Sequence, residues 1–254
     1  MKVLLIRANR NEVDKKALAD LGIDSVIDPY LDISIFANAN GANRMLQALQ
    51  SGIQPTWLVV TSTNALDYFD QNLEPGQLDA VIRDSKTLKY AAIGEQTAQL
   101  LAERGASKIL TPRQSNRNNS ADSQSLAEVL CGTPKGLAVI PAGSIAMAGL
   151  SQELRASGFD VITEVVYQTH AVTQAPSSVA RISAGEIDAV LLRSPSAARA
   201  FSSFIGDTKI PIFCAGKTTA TQAESLGLEV IAVSPDPSPS HVAKTIFEKA
   251  ANHD

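Results

Sequence analysis

Cysteine is scarce in this chain: Cys131 and Cys214 are the whole complement in 254 residues. Neither has a partner at metal-ligand spacing, which excludes a zinc knuckle and a disulfide scaffold and fits a reducing compartment. Cys214 lies in an apolar run and reads as a small core residue. Aromatic residues make up only 5% of the chain. Basic charge is not in excess either; the formal net charge is -4. A global field for nucleic acid is therefore missing, although a local basic patch for an acidic small molecule stays open. No stretch approaches the roughly 20 apolar residues that a membrane-spanning helix needs. The apolar run at residues 2–6 is too short for a signal peptide and leads straight into polar residues, so a cytoplasmic protein without membrane association is expected.

What the chain does have is apolar bulk, at 44% with 19% charged residues. That composition supports a full core, in one large domain or two of about 125 residues. It also has an internal echo. Leu58-Val59-Val60-Thr61-Ser62-Thr63-Asn64-Ala65 reads as a buried strand feeding a helix, with Ser62 or Thr63 near the N-cap. The stretch recurs in degenerate form from Ala189, where Ser194, Ala197 and Phe201 align with Ser62, Ala65 and Phe69. Ile93-Gly94-Glu95-Gln96-Thr97-Ala98 and Ala215-Gly216-Lys217-Thr218-Thr219-Ala220 form a second pair, each running through a helix to a glycine, Gly105 or Gly227. Two ordered matches indicate duplication of an α/β unit.

Strands are expected at residues 3–6, 25–27, 57–60, 90–93, 108–110, 137–140, 161–167, 187–192, 210–214 and 229–233, alternating with helices. Residues 38–43 read as a polar turn, residues 78–82 as a short helix or loop, and residues 113–120 as a polar surface loop or a lid. Asp122-Ser123 and Ser240 are expected to cap helices. In the first and later thirds, helix, glycine, strand and tyrosine follow in the same order, at Gly22 and Tyr30 and again at Gly158 and Tyr167. Segments around residues 30–35 and 165–170 suit two chain crossings. Tandem halves dividing near residue 130, or insertion of the middle five strands between the first two and last three, both fit this pattern.

The ordered weak motifs carry a resemblance. Thr61-Ser62-x-Asn64-Ala65, Ile93-Gly94-x-x-Thr97-Ala98, Asp122-Ser123-Gln124-Ser125-Leu126, Tyr167, Ser194-Pro195-Ser196-Ala197 and Gly216-x-x-Thr219-Ala220 together resemble the uroporphyrinogen-III synthase family, nearly end to end. The resemblance implies two similar α/β domains, each an open five-stranded parallel sheet with helices on both faces, joined by a two-stranded linker. Residues 1–33 and 171–254 would form the first domain and residues 37–165 the inserted second. Residues 29–36 and 165–171 would be the linker strands, with an active cleft between the domains. The implied activity turns hydroxymethylbilane into uroporphyrinogen III by loss of water, inversion of the D ring and macrocycle closure. It implies no metal and no organic cofactor, a monomer, and at most a transient contact with hydroxymethylbilane synthase.

In open α/β sheets, ligands sit beyond the C-terminal ends of the strands, where helix N-termini offer amide donors to anions. The substrate-binding candidates there are Arg7, Thr61, Ser62, Asn64, Gly94, Thr97, Arg193, Ser194, Ser196, Gly216, Lys217, Thr218 and Thr219. Ala142-Gly143-Ser144 reads as a further loop of that rim. Tyr167 is the catalytic candidate that the resemblance implies, a phenol able to donate to the departing hydroxyl. Arg193 stands where the family usually has Thr, and Pro141 to Ser144 where it often has an Arg-Gly pair. These departures support an alternative: a non-catalytic or weakly active relative that binds an acidic small molecule in the cleft.

Overall fold

The computed structural model describes residues 1–112, 123–144, 149–206 and 209–251. The chain separates into two compact units, one of residues 1–33 and 170–254 and one of residues 34–169. Each is a five-stranded sheet covered by helices.

The first unit opens with β1 (Lys2–Leu5), α1 (Asn11–Ala19) and β2 (Asp24–Ile27). The chain leaves along β3 (Leu31–Ile35). The second unit continues with α2 (Ala39–Gln50), β4 (Thr56–Val60), α3 (Thr63–Gln71), α4 (Gln77–Asp84), β5 (Lys89–Ala92), α5 (Glu95–Glu103), α6 (Ser123–Cys131), β6 (Leu137–Gly143), α7 (Gly149–Ala156) and β7 (Asp160–Ala171). The first unit is then completed by α8 (Ser178–Ser183), β8 (Ala189–Leu192), α9 (Pro195–Ile205), β9 (Ile212–Cys214), α10 (Lys217–Ser225), β10 (Val230–Val233) and α11 (Pro239–Ala250).

Strand order is β10-β9-β8-β1-β2 in the first unit and β3-β7-β6-β4-β5 in the second. The pairs β1–β2, β1–β8, β8–β9 and β9–β10 run parallel, as do β4–β5, β4–β6 and β6–β7. The interior strands β4 and β8 are buried along their whole length, as helices on both faces require. Their helices begin alike. Ser62 and Ser194 are extended N-caps whose hydroxyls accept from the Ala65 and Ala197 amides at 3.0 and 3.1 Å. Phe69 and Phe201 fill the two cores at zero exposure. Thus β8 corresponds to β4, β9 to β5, β1 to β6 and β2 to β7.

The fifth strands do not correspond. Residues 108–110, expected as a strand, contribute only one parallel bridge, Ala91 to Leu110, and Lys108 has a left-handed φ of 53°. Place and direction make this bridge the remnant of β10, while β3 supplies the fifth strand at the opposite edge. Residues 38–43 are no turn: Asn38 caps α2 by accepting from the Gly41 amide at 3.0 Å, so its polar run opens a helix. Gly41 fits because a Cβ there would meet the Asn38 and Glu164 side chains within 2.4–2.6 Å. Residues 78–82 lie in the helix α4. Residues 141–143 extend β6 instead of opening a loop, and residues 168–170 continue β7 without a break. Ser240 lies inside α11, whose N-cap is Ser238 followed by Pro239, because proline at the first helical position fixes the start. The loop of residues 113–120 and Asp122 lie outside the described residues.

Candidate functional site

The expected site residues collect at the C-terminal strand ends of each unit. In the second unit, Thr61 and Ser62 follow β4, Gly94 follows β5, and Tyr167 lies on β7 beside Gly143 of β6. The Ser62 hydroxyl and the Tyr167 hydroxyl stand 3.3 Å apart, although 105 positions separate them in sequence. Ser62 therefore has two roles: it caps α3 and touches the phenol. The Tyr167 ring stacks on Tyr68 with centroids 5.7 Å apart, and the Tyr167 carbonyl accepts from the Ser144 amide at 2.9 Å. Gly143 makes room for the ring, since a Cβ would fall 2.5 Å from Tyr167 Cζ. Asn72 braces the strand from behind, donating from its side chain to the carbonyls of Tyr68 and Val166.

Asn64 is half-buried in the first turn of α3. Gly94 is an extended N-cap of α5 with no side-chain cap bond. Thr97, one turn on, is only 5% exposed and belongs to the helix–sheet packing more than to the rim.

The first unit repeats this rim with charge added. Gly216 is an extended N-cap without a side-chain cap bond, and open space surrounds the place of its missing Cβ. Lys217 and Thr218 are exposed at the start of α10, while Thr219 is 5% exposed, like Thr97. The Ser194 and Ser196 hydroxyls lie 2.9 Å apart at the start of α9.

Arg7 and Arg193, at the ends of the neighbouring strands β1 and β8, converge on Asp14 of α1. Arg193 Nη1 is 3.3 Å from Asp14 Oδ1 and Arg7 Nη1 is 3.8 Å from Asp14 Oδ2. Arg193 also donates to the Pro237 carbonyl at 2.6 Å, so its guanidinium is committed inside the unit. Arg7 is the more open of the two, with its backbone tied to the Asn11 side chain. Burial pushes the Asp14 carboxyl above its usual range, and the fields of Arg193 and Arg7 pull it back only in part. Burial lowers both guanidinium groups as well, for Arg7 aided by the field of Arg193.

Asp14 and Asn11 were not anticipated as part of this constellation. The available signal was a helix face: Asn11, Asp14 and Leu18 share the buried side of α1, and a carboxylate there demands a partner. Among the described residues there is no cluster of metal-ligating side chains and no helix long and apolar enough to cross a membrane. Cys214 is a core residue of the first unit, its thiol pushed up to about 12 by burial.

Comparison with known proteins adds the chemical context. The family model described as HEM4, uroporphyrinogen-III synthase HemD, matches residues 12–244. The crystal structure of uroporphyrinogen-III synthetase from Helicobacter pylori has a TM-score of 0.64 at 13% identity, covering 97% of this chain and 98% of that one. A mutant uroporphyrinogen III synthase from the extremely thermophilic bacterium Thermus thermophilus has a TM-score of 0.62 at 16% identity, with each chain covered in full. At such identities the solved structures speak for the fold, while the family match spans nearly the whole sequence. The chain belongs to the uroporphyrinogen-III synthase family.

Proposed function

We propose that this chain converts hydroxymethylbilane into uroporphyrinogen III, with loss of water, inversion of the D ring and closure of the macrocycle. The observation that carries the reading is the Ser62–Tyr167 hydroxyl pair at a strand-end rim. A phenol held 3.3 Å from a second hydroxyl is a positioned proton donor, and Ser62 can return a hydrogen bond as Tyr167 gives one to the leaving hydroxyl. The pyrroles supply the electrons that expel water, so holding the chain in a reactive shape does much of the work. Substrate carboxylates would be met by the amides opening α3, α5, α9 and α10, with Arg7 and Lys217 adding positive charge. The chemistry so written calls on no metal and no organic cofactor. The chain would act as a cytoplasmic monomer, taking substrate through transient contact with hydroxymethylbilane synthase.

The test supplies hydroxymethylbilane in situ from its synthase and measures the isomer ratio of the oxidised product. Predominantly type III product is expected; type I alone, the spontaneous product, would overturn the proposal. A second reading, a weakly active or non-catalytic relative, is favoured by Arg193, whose charge is turned to Asp14 and Pro237. Saturable substrate binding without type III product would select it.

A further inference from the structure

A cavity of about 590 Å³ opens at the other end of the second unit's sheet, where β4 and β5 begin. Its size suits a small organic ligand. Its walls include Trp57, Tyr90 and Leu88, all buried, and four basic side chains, Arg83, Lys86, Lys89 and Lys108. No lining residue is acidic, and none of the four cations takes part in an ion pair among the described residues. Lys89 Nζ lies 5.2 Å from the Trp57 ring centre, and the buried Trp57 Nε1 has no hydrogen-bond partner.

Duplication supplies a control. The first unit has a cavity at the corresponding strand beginnings, lined by Asp188, Glu229, Lys249 and Met1. There the charges balance: Asp188 lies 4.0 Å from the terminal amine and accepts from the Lys2 amide. The fold makes a hollow at this edge in both units, but only the second unit lines it with one sign of charge. Such a hollow concentrates field and attracts counter-charge.

We propose that this cavity binds a small organic polyanion, held by Arg83, Lys86, Lys89 and Lys108 and seated against Trp57. The site lies at the opposite strand ends from Ser62 and Tyr167, so it is separate from the synthase chemistry. Trp57 is the only tryptophan in the chain, so emission has a single source and it stands in this wall. Lys89 would turn from the indole toward the ligand, changing that emission.

The test titrates inorganic pyrophosphate and citrate into the full chain at about 0.15 M ionic strength, read by Trp57 fluorescence and by calorimetry, with chloride as control. A saturable response to either probe is expected. Preference for pyrophosphate would mark a phosphate ester, and preference for citrate a polycarboxylate. The Lys86→Gln/Lys108→Gln variant removes two exposed charges and should bind about tenfold more weakly or worse, with unchanged melting and product isomer ratio. Saturable binding to neither probe, by either readout, would overturn the site, as would equal binding by the variant.

Discussion

Tyr30 and Tyr167 occupy corresponding places, after β2 and within β7, and differ in what their hydroxyls meet. Tyr30 is sealed, bonded to Ser178 at 3.0 Å and flanked by the rings of Phe201 and Phe204, and burial raises its pKa. Tyr167 is partly open and reaches Ser62. Tyr167→Phe is expected to slow type III formation about tenfold, the worth of one hydrogen bond, while leaving residual turnover and the melting temperature nearly unchanged. Steady-state kinetics on the variant checks this. Asp14 yields a prediction about stability. Its folded pKa lies above the unfolded value, so its contribution favours the fold below about pH 4 and is lost as pH rises through the folded pKa. Asp14→Asn should therefore match the parent in acid and equal or exceed its melting temperature at pH 7. Thermal melts across that range test the sign; a clear loss at pH 7 would contradict it. The caps Ser62 and Ser194 were legible in the sequence because a cap acts on an amide three residues away. The Ser62–Tyr167 and Arg193–Asp14 contacts were not, because the topology brings together residues far apart in the chain.

At the scale of elements, apolar runs and glycine stops placed the strands and helices of both repeats well. The errors fell where a local signal had two meanings. Polarity at residues 38–43 could mark a turn or a capped helix, and the Asn38 side chain decides for the helix. Residues 108–110 have strand composition, but their single bridge leaves the expected strand vestigial. Charge ties the helices of the second unit together. Arg104, the C-cap of α5, lies 3.3 Å from Asp67 and 3.1 Å from Asp70 on α3, and 3.0 Å from Asp79 on α4. Burial works against this guanidinium, but the bond and field of Asp70, with those of Asp79, leave its pKa raised. The arrangement lies between an exposed pair and a fully buried one, so Arg104→Ala should cost about 1–3 kcal/mol in urea unfolding.

At the scale of the whole molecule, each unit owns its core. One set of apolar clusters centres on Phe69 and Trp57, the other on Phe201 and Phe213. The second unit is also one unbroken piece of chain, residues 34–169. Expressed alone, residues 34–169 should unfold cooperatively, with Trp57 emission and far-UV circular dichroism changing together. A non-cooperative melt would show that it depends on the other unit. The split first unit has a different consequence. Val3 of β1 pairs with Ala189 of β8, so on the ribosome the apolar strand Lys2–Leu5 must wait for a partner made 186 positions later. Synthesis thus completes the inserted unit first and leaves β1 without that neighbour meanwhile. The nascent chain, more than the finished protein, is where a holding chaperone would matter.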